Sequence, residues 1–440
     1  MVFRKISRPR IEGCVDSWSP NVTGWVINID QPSDPVEVAL VVDRNIVARV
    51  LADDPRPDVL ESGHESGWCG FSIPAHECVT DAIPHDVSLV HTTSGEELFR
   101  SSVRVSFNSE RPILPPEHRG TASVINVHGD LAGVQGIAKA GGSIAIISAF
   151  RPIGVSNRAT SDYAGALRRA GFTVVVVDTS TDPLETDTDA DLVVHRINEG
   201  WDFASWDTAR ELLSEGLKGA REILLTNDSC FGPFAELGSL FDRIRSKNLD
   251  VTSLTDGWFS GYHLQSNFLY FRGEVIKSDP LGRFFAGYGF PKLKSSIVRD
   301  GEIGLSRFLL ADGFEIGALH DYQSLSTTFL ADFERRMAAL RLDERSLDVG
   351  IVRWMVDIRE SLIRGTPLNT THVFWEELLR AGMPFVKRDL LTKNPLGCPT
   401  LGRLEPLLAE SFAYEDCEWI LGDLKCRGAS VPPFRGNTNT

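Results

Sequence analysis

From Gly142 onward the chain alternates between solid apolar runs and runs whose apolar positions recur every three or four residues. SIAIISAF, FTVVVVDTS, DADLVVHRIN and REILLTNDS are the apolar runs, rich in β-branched residues on both faces. That pattern predicts strands covered on both sides. SDYAGALRRAG and DFASWDTARELLSEGL lie between them with a helical period, and Asp202 stands where it would cap the second helix. Strands alternating with helices predict an α/β domain with a mostly parallel sheet. After residue 325 the period is helical throughout: TTFLADFERRMAALRL, VGIVRWMVDIRESLIRG and THVFWEELLRAG.

The first hundred residues differ. GWVINI, VEVALVVD, NIVARVLA, GFSIPA, DVSLVHT and LFRSSVRVSF alternate apolar and polar positions, with breakers such as QPSDP between them. Alternation of this kind predicts half-buried antiparallel strands and no helix. Arg56 and Asp58 are placed for a loop salt bridge, and Trp18, Trp25 and Trp68 for the core or its rim. The organisation expected is a β-sandwich accessory domain over 1–108, a Pro- and Gly-rich linker over 109–140 whose later part forms a short helix, a catalytic α/β domain over 141–325, its helical part over 326–430, and a disordered tail over 431–440.

Charge narrows the partners. With 45 Lys and Arg against 60 Asp and Glu, the net charge is −15, and nucleic acid, which needs clustered cations, is excluded as a general partner. The seven cysteines form no CxxC pair, so reduced thiols and no disulfide framework are expected. The start, MVFRKISRPR, lacks the apolar core of a secretory signal. A cytoplasmic protein, at most peripheral to the inner membrane, is the expectation.

Ligands of such sheets bind beyond the carboxyl ends of the strands, and here those ends are polar: Arg151; Asp178; Arg196 and Asn198; Asn227, Asp228 and Ser229. Asp228 reads in two ways. It can cap a helix from Phe234 to Ile244, or hold a divalent ion or sugar hydroxyls. Further on, His263, Gln265 and Ser266 lead into an apolar strand, and Glu302 opens a helix whose stripe is Leu305, Phe308 and Leu309. Glu302 is either a first-turn carboxylate matched to the helix dipole or a general base; Asp300 is the alternative base.

The order of these pieces resembles the GT-A glycosyltransferase fold, a Rossmann-type sheet. The residues are similar to the rhamnan-synthesis protein F family, through RINEGWDF, LTNDSCFGP, Leu254-Thr255-Asp256, YHLQSNF, EIGLS, NTTHVFWEEL and PFVKRDLL, spread over about residues 142–396. The resemblance implies transfer of L-rhamnose from dTDP-rhamnose to a bacterial surface polysaccharide or a lipid-linked glycan, with inversion. In that reading Asp228 positions the diphosphate, alone or through Mg2+ or Mn2+. Arg196 neutralises phosphate, with Arg151, Asp178, Asn198, Asn227 and Ser229 also on the donor. His263, Gln265, Ser266, Asp256, His372, Glu376, Lys387 and Arg388 hold sugar or acceptor, and Glu302 deprotonates it. The sequence departs from the Asp-X-Asp pattern of that fold, because Ser229 and Cys230 follow Asp228. A catalytically degenerate scaffold protein of polysaccharide assembly is the competing expectation.

Overall fold

The structure is a computed structural model that describes residues 10–19, 21–79, 84–107, 113–182, 188–259, 261–292, 294–342, 349–414 and 416–427. The expected tail over 431–440 lies outside them. The chain divides into two compact units: Met1–Arg111 with Pro395–Gly397, and Pro112–Asn394 with Cys398–Thr440.

The first unit holds two four-stranded antiparallel sheets. One is ordered Ile11–Ser17, Val22–Asn28, Trp68–Ile73, Asp54–Pro55, the other Asn45–Ala52, Val36–Val42, Val87–His91, Glu97–Arg100. Alternation does its work here. Val22 and Val26 of one sheet and Val38, Leu40 and Leu89 of the other point into a single core, each fully buried aliphatic chain contributing about 1.5–3 kcal/mol. Arg56 donates to both carboxylate oxygens of Asp58, at 2.8 and 2.6 Å, and to Asp16 at 2.6 Å. The short helices Pro57–Glu61 and Ala75–Cys78 are additions that strand patterning did not predict.

The second unit is built on a nine-stranded sheet. Ser143–Ala149, Phe172–Asp178, Leu192–Arg196 and Glu222–Asn227 are mutually parallel, with Asn227 beside Ser148 and Asp178 beside Ala149 and His195. Around this parallel centre the sheet is mixed, not mostly parallel. Phe268–Arg272 runs antiparallel to Glu222–Asn227, and Val251–Gly257 antiparallel to Phe268–Arg272. The supposed linker over 109–140 contributes an edge strand, Val124–Gly129, antiparallel to Leu192–Arg196, and a helix, Leu131–Lys139, capped by Asp130. Its Pro and Gly content masked the apolar period of a half-exposed strand.

Other helices depart from expectation for identifiable reasons. GEVIKSDPLGRFF forms two helices, Gly273–Lys277 and Pro280–Gly287, since Pro280 starts the second and Asp279 caps it through the Gly282 amide. The helical run from Lys294 to Ala311 includes a π-helical turn at Val298–Ile303. Glu302 therefore lies within that run, and the helix-dipole reading of it falls. The helices Tyr322–Leu342 and Val349–Arg364 follow. THVFWEELLRAG splits at Phe374 into Thr370–Val373 and Trp375–Arg380. No described helix is long and apolar enough to cross a membrane, and no disulfide joins the described cysteines.

Candidate functional site

The parallel strands bring their carboxyl ends to one edge. Antiparallel Phe268–Arg272 brings its beginning, Ser266 and Asn267, to that same edge. Thr226 pins the join. Its hydroxyl donates to the Asn267 carbonyl at 2.7 Å and meets the Tyr163 hydroxyl at 3.0 Å, while Trp206 Nε1 donates to its carbonyl at 3.0 Å.

Beyond Thr226 the polar run of LLTNDSCFGPF forms a network, not a cap: the following helix is Gly238–Ser246, and its N-cap is Leu237 without side-chain help. Asn227 Nδ2 donates to Asp202 Oδ2 at 2.7 Å. Asn227 Oδ1 accepts from the Ser229 amide at 3.1 Å and the Ser229 hydroxyl at 2.5 Å. Lys387 Nζ donates to Ser229 Oγ at 2.9 Å. Asp228 Oδ2 accepts from the Phe150 amide at 3.3 Å and from Arg388 Nη1 at 3.4 Å.

Lys387 and Arg388 arrive from about 160 residues further along because Val386–Lys387 pairs antiparallel with Cys230–Phe231. That two-residue pairing is held by an apolar cluster in which Phe231 and Phe234 pack with Trp375, Leu390, Leu404 and Leu408. Trp375 is thus core. Asp202 is the member that motif reading passed over as a helix cap; the helix Trp201–Leu212 instead has Gly200 as its N-cap. Burial, with repulsion from Asp228, pushes the Asp202 carboxyl up to about 6, against hydrogen bonds from Ser148 and Asn227 and the pull of Lys387. Its signal in the sequence was a lone carboxylate two residues after a glycine at a strand end.

A second group adjoins the first through the two residues Ser266 and Asn267. The Ser266 hydroxyl donates to Glu302 Oε1 in a short hydrogen bond, with the Ser266 amide at 3.4 Å from the same oxygen. Asn267 Nδ2 stands 3.8 Å from Cys230 Sγ, next to Asp228. The π-helical turn shapes this spot, as such turns often do at functional sites. Asp300 is gripped by Arg299, Nε at 2.6 Å and Nη2 at 2.7 Å, whereas Glu302 faces the Ser266 hydroxyl.

A third group surrounds Asp256. The buried carboxylate accepts from the Tyr322 amide at 2.7 Å, and Thr370 Oγ1 donates to its carbonyl. Burial drives its carboxyl up to about 6, opposed by the Tyr322 amide and reinforced by Asp321. His263 binds the Gly261 carbonyl at 2.9 Å, and Gln265 Oε1 accepts from Thr255 at 2.6 Å. His372 is buried in the helix Thr370–Val373, two residues after Thr370.

Several residues expected on the donor, and Glu376 expected on the sugar or acceptor, serve the scaffold instead. Arg196 is 1% exposed and donates to Ser123 Oγ at 3.0 Å and the Glu199 carbonyl at 2.8 Å, with the His118 carbonyl at 3.3 Å. Burial lowers its guanidinium to about 10, opposed by Asp207 and Glu199. Such an arginine cannot reach a phosphate. Asp178, fully buried, accepts from the Ser180 amide and hydroxyl at 3.0 and 2.5 Å. Arg151 holds the Val155 and Asp182 carbonyls, both at 2.9 Å. Glu376 is buried between Arg380 and Arg403, at 3.0 and 2.9 Å. Asn198 is exposed beside the edge.

Among the described residues no three His, Cys, Asp or Glu side chains converge as a metal site. Asp228 faces a guanidinium and a backbone amide, a setting suited to an anion beside paired cations. The residues present do not form a cage for Mg2+ or Mn2+.

Comparison with known proteins adds an independent line. The chain is 26% identical over 236 residues to the virulence protein VirA of Vibrio anguillarum, covering 52% of this chain and 72% of that protein. It is 27% identical over 145 residues to an uncharacterized protein of Sinorhizobium fredii, covering 31% and 37% of the two chains. The model of the rhamnan synthesis protein F family matches residues 177–353, a narrower stretch than the quoted motifs, holding Asn227, Asp228, Ser266 and Glu302 but not Lys387 or Arg388. Over residues 177–353, then, the chain carries the rhamnan synthesis protein F pattern that its motifs resemble.

Proposed function

We propose that this chain acts in polysaccharide synthesis as an inverting glycosyltransferase of GT-A type, moving L-rhamnose from dTDP-rhamnose to a bacterial glycan acceptor. The observation that carries the reading is the convergence of Asp202, Asn227, Asp228, Ser229, Lys387 and Arg388 at the carboxyl edge of the sheet. Two cations, held in place by the carboxylates Asp202 and Asp228 and by the hydrogen-bonding groups of Asn227 and Ser229, suit a diphosphate, and the edge is where α/β sheets bind ligands.

In this reading Lys387 and Arg388 take the diphosphate, and Asp228 orients Arg388 while accepting a sugar hydroxyl. Asn227 and Ser229 complete the hydroxyl contacts. The acceptor hydroxyl attacks the anomeric carbon from the face opposite the diphosphate. The bond from that carbon to the diphosphate oxygen breaks, dTDP leaves with the electron pair, and Glu302 takes the acceptor proton. Ser266 holds Glu302 in place. Balancing the leaving group's charge with Lys387 and Arg388 makes a divalent ion dispensable.

The test is transfer from dTDP-rhamnose by the full chain, with and without chelator, beside Asp228→Asn. Loss of donor affinity by at least tenfold in the variant, with chelator harmless, is expected. An Asp228→Asn protein that binds and transfers as wild type would refute the donor site. A wild-type protein that neither binds nor turns over any nucleotide-sugar would favour the scaffold reading.

A further inference from the structure

Four Phe or Trp side chains are exposed among the described residues: Phe150 at 42%, Trp201 at 50%, Trp258 at 47% and Phe259 at 52%. All four lie just beyond the carboxyl ends of strands in one sheet. Phe150 follows Ser143–Ala149, Trp201 follows Leu192–Arg196, and Trp258 and Phe259 follow Val251–Gly257. The strand order puts three spacings between the Trp258 strand and the Phe150 strand, and two more to the Trp201 strand. Five inter-strand spacings make a row roughly 24 Å long.

Two of the rings are held by local structure. Trp258 packs at a tilt on Tyr262, centroids 5.2 Å apart and planes at 60°, while 47% of the residue stays exposed. Arg307 passes beside Gly261 of the same loop, one residue after Ser306, whose hydroxyl donates to the Glu302 carbonyl at 2.9 Å and accepts from the Leu264 amide at 3.0 Å. Trp201 has φ 58° directly after Gly200 at 79°. A bulky aromatic in the left-handed region is strained, and such strain gathers at functional sites. Its indole nitrogen donates to the Lys292 carbonyl at 3.3 Å, fixing the ring.

We propose that this row is the acceptor platform: a glycan chain lies across the carboxyl edge and stacks the apolar faces of successive pyranose rings on Trp258, Phe259, Phe150 and Trp201. This inference deepens the proposed glycosyltransferase reading and rests on it for the identity of the glycan. Phe150 is tied to Asp228 through its backbone amide at 3.3 Å, and the Trp258 loop meets Arg307 of the helix that follows Glu302, so the two ends of the platform adjoin the donor group and the base. Exposed aromatic rings match the C–H rows of a sugar, and exposed Asn198, two residues beyond the Leu192–Arg196 strand, offers a polar partner for its rim. A lipid surface fits less well, because attraction to anionic headgroups needs clustered Lys and Arg, whereas this chain carries −15.

The experiment uses the full chain and Trp258→Ala, Trp258→Leu and Phe259→Ala. Calorimetry measures binding of oligorhamnosides of increasing length, and of dTDP; sedimentation measures binding to neutral and anionic phospholipid vesicles. Affinity should rise with oligosaccharide length and fall roughly tenfold, about 1.4 kcal/mol, in Trp258→Ala and Trp258→Leu, with dTDP binding unchanged. Phe259→Ala should weaken only the longer oligosaccharides and guards against a folding defect in one variant. Oligosaccharide binding that ignores both positions overturns the platform. So does vesicle binding that Trp258→Ala loses and Trp258→Leu keeps. Loss of dTDP binding by wild type, with Trp258-dependent oligosaccharide binding intact, would sink the donor reading and leave the platform standing.

Discussion

Asp202→Asn should make the folded protein more stable and, on the proposed function, abolish transfer by loosening the Asn227–Ser229 frame of the donor site. Wild-type Asp202 titrates at about 6 in place of 3.8, because burial and Asp228 disfavour its charge. Holding it ionised at neutral pH costs about 3 kcal/mol at most, at 1.36 kcal/mol per pH unit. The side chain is half-buried, so solvent screening brings the expected figure to about 1–2 kcal/mol. The amide variant sheds this cost yet still accepts the Asn227 Nδ2 hydrogen bond through its own oxygen. The sign follows from proton linkage. A carboxyl raised on folding binds more protons in the folded state between 3.8 and about 6, so wild-type stability falls as pH rises through that window. The variant's advantage should therefore be near zero below about pH 4 and full above about pH 7. Urea denaturation at several pH values, followed by the fluorescence of the buried Trp206 beside the site, measures it. A variant less stable than wild type at neutral pH would mean that Lys387 more than repays the buried charge, and the electrostatic account of the site would be wrong. Gain in stability with loss of transfer is the usual signature of a functional carboxylate.

Other consequences can be checked together. Lys387→Met and Arg388→Met should each raise KM for the nucleotide-sugar by roughly ten- to a hundredfold with little change in fold, since each removes one charge-assisted contact worth about 1.5–3 kcal/mol; unchanged KM in both would separate the cations from the donor. Glu302→Gln keeps the Ser266 contact and should abolish transfer while donor affinity persists, read by single-turnover kinetics beside dTDP binding; full activity would shift the base to Asp300. Arg196→Met should cost about 1–3 kcal/mol for each buried carbonyl it strands, lowering Tm without a selective effect on donor KM. Asp256→Asn should resemble Asp202→Asn in pH dependence, because burial raises its carboxyl to about 6 as well.

Local pattern carried much of this molecule. Period-two alternation marked the strands of the first unit, and solid apolar runs marked the four parallel strands, because burial on one or both faces is written directly into residue order. Asp228 and its neighbours stood out for the same reason: a core strand has no local use for Thr-Asn-Asp-Ser. Local signals misled where composition and context conflict. The strand Val124–Gly129 hid in a Pro- and Gly-rich stretch. The apolar strand after Ser266 was legible, but its antiparallel direction was not, since pairing direction depends on where the chain returns. Arg196 looked like a phosphate ligand at a strand end, yet neighbouring carbonyls surround it.

What residue order determined by itself was the strands of the first unit, the four parallel strands and most of the helices, with the polar strand ends where chemistry can occur. Only the tertiary structure decided which of those ends share a site. The pairing of Cys230–Phe231 with Val386–Lys387 sets two cations against Asp228 and Ser229, and the Asn227 contact recruits Asp202. Those contacts span tens to more than a hundred residues, and their geometry comes from packing a distant apolar cluster, which no window along the sequence contains.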